Sequence, residues 1–194
     1  MKIHTEFSQL SEDWFAFKLG KFGASDAQAI ANNGAVLTTL VYEKVAERLT
    51  GKAKEGYSNE AMLDGIEREA NARNLYELEK GVSCQQAGLI ELNDFVVASP
   101  DGLVGEDGLI EIKCPIISTH ISYLLENDMP SDYYQQTQGQ LLVTGRKWVD
   151  FVSYFPGLKP LVIRETPDDV FQKLLKKELE LFTDELEELV KRLS

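Results

Sequence analysis

Cysteine is nearly absent from this chain: Cys84 and Cys114 are two in 194 residues, too few for a disulfide framework, and neither stands in a ligand cluster. Histidine is as scarce, and His4 and His120 have no partner at a spacing that suggests catalysis. No apolar run approaches the roughly 20 residues that span a bilayer. The opening Met1-Lys2-Ile3-His4-Thr5-Glu6 lacks the apolar stretch of a secretory signal. Internal repeats, low-complexity tracts and linkers are missing as well. These absences argue against a secreted disulfide scaffold, a membrane-spanning protein and a repeat array. They lead us to expect a cytoplasmic protein with one domain over residues 1–194. Cations are the other shortage, with 20 Lys and Arg against 32 Asp and Glu and a net charge of −12. That balance counts against a uniformly basic nucleic-acid surface. Much of the acid sits near the C-terminus, however, where Asp184-Glu185-Leu186-Glu187-Glu188 reads as a solvated helix face.

What is present is an order of periods. A helix start is marked by Ser11-Glu12-Asp13-Trp14, and Ser25 is placed to open a second helix through Asp26-Ala27-Gln28-Ala29-Ile30. Helical spacing continues over 38–49 and 58–80, stopped by Gly51 and Gly81. The period then turns extended over 82–90, 95–99 and 109–114. Helices are expected at 119–127 and 131–143, strands at 147–155 and 161–165, and a closing amphipathic helix over 168–193. Helices, a central mixed sheet and more helices describe an α/β or α+β fold.

The densest chemistry lies in Ser99-Pro100-Asp101-Gly102 and Glu111-Ile112-Lys113. Alternate residues of a strand share a face, so Glu111 and Lys113 point one way while Ile110, Ile112 and Cys114 point into a core. Gly105-Glu106-Asp107-Gly108 is a turn signal, and a hairpin centred near Glu106 sets Asp101 opposite Glu111. Like charges opposed across strands destabilise a sheet. A hard cation with oxygen ligands offsets that repulsion. The segment therefore reads as a metal-dependent phosphodiesterase core.

Three motifs carry a family resemblance. Ser99-Pro100-Asp101-Gly102-Leu103 with Leu109-Ile110-Glu111-Ile112-Lys113-Cys114-Pro115 resembles the PD-(D/E)xK nuclease signature. Trp14-Phe15-Ala16-Phe17-Lys18-Leu19-Gly20 with Gly23-Ala24-Ser25, and Tyr133-Tyr134-Gln135-Gln136-Thr137-Gln138, narrow it to the bacteriophage lambda exonuclease family of viral recombination nucleases. The resemblance implies a restriction-endonuclease-like core. It also implies a phage or prophage enzyme acting inside a bacterial cell, which degrades one strand of linear duplex DNA 5′→3′ and leaves a 3′ overhang. Further implications are Mg²⁺ (with Mn²⁺ substituting), two ions per site, a ring-shaped homotrimer and a single-strand annealing protein as partner. By the same resemblance, Asp101, Glu111, the Ile112 carbonyl and Glu69 hold the metal, Lys113 orients water or stabilises charge, and Gln138 and Tyr133 support it. Lys18, Ser25 and Ser99 take the terminal 5′-phosphate, and Met62 is a strand-parting wedge.

Plainer readings stand beside several of these. Glu69 also fits a solvated helix face with Glu67 and Arg73. Gln138 competes with Gln135, Gln136 and Gln140, and shares a side with Tyr134 at i−4. Met62 fits a core position, Lys18 an exposed helix lysine and Ser25 a simple cap. A lysine at position 18, where the better-known relative has arginine, binds phosphate without a bidentate fork. An endonuclease or structure-specific nuclease, or a non-hydrolytic module for DNA ends or recombination partners, would use the same core.

Overall fold

In a computed structural model that describes residues 1–6, 8–53 and 60–194, with side chains in the last stretch from residue 67, alternation along one strand decides how the molecule is layered. The N-terminal half runs β1 (Lys2–His4), α1 (Glu12–Lys18), β2 (Phe22–Gly23), a 3-10 turn (Ala24–Asp26), α2 (Ala27–Asn32), α3 (Ala35–Thr50) and α4 (Glu60–Lys80). Then follow β3 (Cys84–Gln85), β4 (Leu89–Asn93), β5 (Val96–Ala98), β6 (Gly102–Val104) and β7 (Gly108–Lys113). The chain ends α5 (Ile117–Glu126), α6 (Ser131–Thr144), β8 (Trp148–Ser153), β9 (Leu161–Glu165) and α7 (Asp169–Leu193).

The strands form two sheets rather than one. The smaller has the order β1-β4-β5-β2, and the larger β3-β6-β7-β8-β9. The stretch 82–90, which reads as one strand in the sequence, divides between them: Cys84 pairs with Val104 in the larger sheet, while Leu89 pairs with His4 in the smaller. Ala87 and Gly88 form the step between them. In the larger sheet β7 runs antiparallel to β6 and parallel to β8. A parallel neighbour requires a long crossover, here supplied by α5 and α6.

On β7, Ile110 and Ile112 face α4 and join a cluster with Ala72, Tyr76, Val104 and Val152. From the opposite face Leu109 enters the main core with Leu141, Val149, Leu175, Phe182 and Leu186, under α6 and α7. Glu111 follows Leu109 onto that face. Cys114 is half-buried beside the first cluster, and burial pushes its thiol up to about 11.

Local signals set the helix ends. The Ser11 hydroxyl accepts the Trp14 N–H at 3.2 Å to cap α1, with Glu12 and Asp13 in its first turn and Lys18 in its last. Asp168 caps α7 by accepting the Val170 and Phe171 N–H groups at 2.9 and 3.0 Å. Ser25 does not open a helix: it lies exposed on the 3-10 turn, and Asp26 accepts the Gly23 N–H at 2.9 Å instead. No described helix is long and apolar enough to cross a membrane.

Gly108 opens β7 because nothing larger fits: a Cβ there would lie 2.1 Å from the Trp148 ring. That ring cannot swing aside freely, since the Arg164 guanidinium lies 3.6 Å from its centre. Gly108→Ala is expected to cost about 1–3 kcal/mol, the usual range for overpacking. The check is a lower urea midpoint with an unchanged slope.

Candidate active site

The centre of the site is the place where β6 stops. Register pairs Gly102 with Ile110, so Asp101 comes beside Glu111 just beyond the last ladder residue of β6. Asp101 donates its own N–H to the Ile110 carbonyl at 3.1 Å. Its carboxylate Oδ2 then accepts the Ile112 N–H at 2.6 Å, doing for one residue what the next backbone carbonyl would have done. In a strand the N–H and C=O of one residue leave on the same side. The Ile112 carbonyl therefore opens toward the Asp101 carboxylate.

Glu111 is 2% exposed and held from three directions. Its Oε1 accepts from Lys113 Nζ and from Gln136 Nε2, both at 2.6 Å, and its Oε2 accepts from Gln140 Nε2 at 2.5 Å. A carboxylate has about four acceptor positions, so Oε2 keeps one open, as does Oδ1 of Asp101. Gln140 Oε1 is buried and has no partner among the described residues. Tyr133 stacks on Phe151 with ring centres 5.3 Å apart, and the Lys113 ammonium lies 5.2 Å from the tyrosine ring.

These groups share an open cleft of about 200 Å³ with Glu69, Ser99, Lys18, Gly23 and Ser25. Burial, and after it the Glu111 charge, hold the Asp101 carboxyl well above the usual carboxylate range, although the Ile112 N–H works the other way. Burial also raises Glu69, with Lys113 opposing and Glu111 adding to the rise. Lys113 feels burial pushing it down, but its ion pair and hydrogen bond with Glu111 outweigh that and raise it. Among the described residues, no three His, Cys, Asp or Glu side chains close on one point as a preformed metal cluster. The donors are nonetheless all oxygens, from Asp101, Glu111, Glu69 and the Ile112 carbonyl. The mutual repulsion that raises Asp101 and Glu69 is the electrostatic condition a hard divalent cation relieves. The donor set fits such an ion.

At the other end of the cleft, Lys18 lies 4.0 Å above the centre of the Trp14 ring. Burial pushes its ammonium down and the Asp26 carboxylate pulls it back up. A Cβ on Gly23 would meet Ser25 Oγ at 3.2 Å and Lys18 Nζ at 3.9 Å, so the glycine keeps that corner open. Ser99 lines the cleft, but its hydroxyl already donates to the Gly88 carbonyl at 2.9 Å and accepts from the Trp14 indole at 3.1 Å. Met62 lies outside the described side chains.

Gln138 does not reach the cleft. It is fully buried on the other side of α6, where it donates to the Thr166 carbonyl and accepts the Asp168 N–H, both at 2.9 Å. Helix phase explains why: Tyr133 and a residue five positions on diverge by about 140°, whereas positions three and seven on stay on its side. Those positions are Gln136 and Gln140, which sequence reasoning left as competitors. Demanding one helix face for Tyr133 and its glutamine would have found them.

The sequence profile of the YqaJ-like viral recombinase domain matches residues 13–147. The structure is similar to that of an alkaline exonuclease, LHK-Exo from Laribacter hongkongensis, with a TM-score of 0.86 and 38% identity over 94% of this chain and 96% of that one. The same protein in complex with dAMP matches with the same values. A phage-related exonuclease from Haemophilus somnus 129PT shares the fold, with a TM-score of 0.71 and 17% identity over 90% of this chain and 96% of its own. No curated protein sequence matches.

The two faces of α6 give separable outcomes. Gln138→Ala strips partners from a buried carbonyl and a backbone N–H, and should lower unfolding free energy by about 1–3 kcal/mol. Gln136→Ala leaves Glu111 with Lys113 and Gln140, and should cost less than about 1 kcal/mol. Urea denaturation of the two variants checks the order.

Proposed function

The chain belongs to the family of YqaJ-like viral recombinase domains, and we propose that it is a metal-dependent exonuclease that enters linear duplex DNA at an end and degrades one strand 5′→3′, leaving a 3′ overhang for strand annealing. The observation that carries this reading is the joining, in one cleft, of the Asp101–Glu111–Lys113 constellation with the Lys18–Gly23–Ser25 corner. Carboxylates and a lysine alone describe phosphodiester chemistry. A cationic pocket at one end of the cleft adds a place for a terminal phosphate. The 38%-identical relative, itself described as an alkaline exonuclease, is known in complex with dAMP, a mononucleotide of the size such an enzyme would release.

In this reading Asp101, Glu111, Glu69 and the Ile112 carbonyl hold Mg²⁺, with Mn²⁺ able to substitute and two ions per site. Divalent cations so placed supply an activated water and stabilise charge on the attacking and leaving oxygens. The chain's own residues do the rest. Gln136 and Gln140 fix the Glu111 carboxylate so that its open lone pair faces the cleft. Lys113 lies within ion-pair distance of Glu111 and carries its positive charge to the scissile phosphate, while Tyr133 supports it from the side. Lys18 meets the 5′-phosphate as a point charge on the Trp14 face. Ser25 offers a hydroxyl from the 3-10 turn. Ser99 acts through Trp14, whose indole it anchors. The reading includes a homotrimer around DNA, a single-strand annealing protein as partner and a Met62 wedge, each by likeness to the lambda exonuclease family.

With Mg²⁺ and a duplex labelled at one end, a 5′ label should be released as mononucleotide before a 3′ label, and closed circular duplex should stay intact. Asp101→Asn and Glu111→Ala should each lower the rate by more than about 100-fold, beyond the roughly 10–100-fold typical of groups that only support a ligand. Gln140→Ala should fall inside that second range. Earlier release of the 3′ label would reverse the assigned polarity, and digestion of circles would exclude an end-dependent enzyme.

A further inference from the structure

Glu69 enters the cleft from α4, which packs on the sheet face opposite to Glu111 and Lys113. What sets its reach therefore lies outside the cleft. Glu69, Ala72 and Tyr76 recur at i, i+3 and i+7, which is one face of the helix. Ala72 and Tyr76 are both buried on Ile110, Ile112 and Val152. Apolar burial is non-directional, and a small alanine against branched side chains does little to fix a helix along its axis. A slip of one turn would move Glu69 by about 5.4 Å.

The directional contact on that face lies two turns further on. The Tyr76 hydroxyl donates to Asp150 Oδ2 at 2.6 Å. Asp150 is 1% exposed on β8, and its register partner on β7 is Ile110. Arg164, opposite it on β9, holds the carboxylate as a fork, with Nε to Oδ1 at 2.7 Å and Nη2 to Oδ2 at 2.9 Å. The guanidinium in turn lies 3.6 Å from the centre of the Trp148 ring. The acceptor is thus fixed on two strands of the sheet before the helix reaches it. Burial, with the Asp150 hydrogen bond second, pushes the Tyr76 phenol up, so its O–H stays a donor through the neutral and mildly alkaline range.

We infer that Tyr76, anchored by Asp150 and Arg164, is a positioning residue that sets the depth at which Glu69 enters the metal site, and so tunes metal affinity without touching metal or DNA. This rests on the assignment of Glu69 as a ligand in the proposed function. The test is Mn²⁺ binding to the whole protein by isothermal titration calorimetry without DNA. Tyr76→Phe should weaken binding by about 10-fold, the low end for residues that support a metal ligand, and saturating Mn²⁺ should restore kcat. Glu69→Gln should also weaken binding. The Tyr76→Phe/Glu69→Gln double variant should bind no more weakly than Glu69→Gln alone, because the two act through one group. A general loss of packing would add to the Glu69 effect instead, and additivity overturns the inference. So does unchanged Mn²⁺ affinity in Tyr76→Phe when Glu69→Gln weakens it, an outcome that leaves the site assignment standing. If Tyr76→Phe does not fold, Arg164→Lys, which keeps the charge and loses the fork, is read in the same cycle, with a smaller shift in the same direction expected and none overturning the inference. Affinity unmoved by Glu69→Gln but abolished by Asp101→Asn removes Glu69 from the site, and the inference with it.

Discussion

Everything in the cleft depends on one hydrogen bond, from the Ile112 N–H to the Asp101 carboxylate. A side chain there completes a ladder that the backbone of β6 has abandoned. Ending β6 at Gly102 brings Asp101 against Glu111 and turns the Ile112 carbonyl toward the gap. It also opens the sheet edge around which Glu69 arrives from the other face. A β6 strand continued by two regular residues would pair the Ile112 backbone and bury the carbonyl. The sheet would be sounder and the chemistry would be gone.

The gap concentrates negative charge, and the structure manages it asymmetrically. Glu111 is bound by an ammonium and two amides, so its position is defined by protein contacts. Asp101 has one backbone N–H and two carboxylate neighbours, and its charge is disfavoured by burial as well as by Glu111. One carboxylate is thus built in and the other is left in tension, an arrangement that favours taking up a cation over standing without one. The chain's overall charge of −12 is compatible with this because the acid is distributed: part is drawn into the cleft, and much of the rest lies along the exposed face of α7.

The sequence showed the hairpin best, because strand alternation is unambiguous when one face carries Glu and Lys and the other Ile. The turn centre, the Asp101–Glu111 juxtaposition and the opposite facing of Ile110 and Ile112 all follow from a period of two. The helix over 131–144 was legible as a helix but misread in phase, since any glutamine near Tyr133 satisfies a motif while only positions 136 and 140 satisfy the geometry. Two features left little signal. The segment at 82–90 keeps one apolar character across a change of sheet, and β1 is only three residues long, stabilised by pairing with β4 rather than by local propensity. The Ser99 hydroxyl was invisible as a committed donor because its partners, Trp14 and Gly88, lie far away in sequence.

Ser99 and Asp101 stand on either side of Pro100, whose ring fixes its φ and whose carbonyl accepts from Gln9 at 2.8 Å. On the proposed reading, one side of this rigid tripeptide braces the phosphate anchor through Trp14, and the other holds the metal. Two residues of extended chain span roughly 6.6 Å. The segment then behaves as a ruler: the distance from a captured chain end to the point of cleavage is a property of covalent geometry, not of a loop's excursions. An enzyme built this way would keep a constant product length as its substrate's sequence changes.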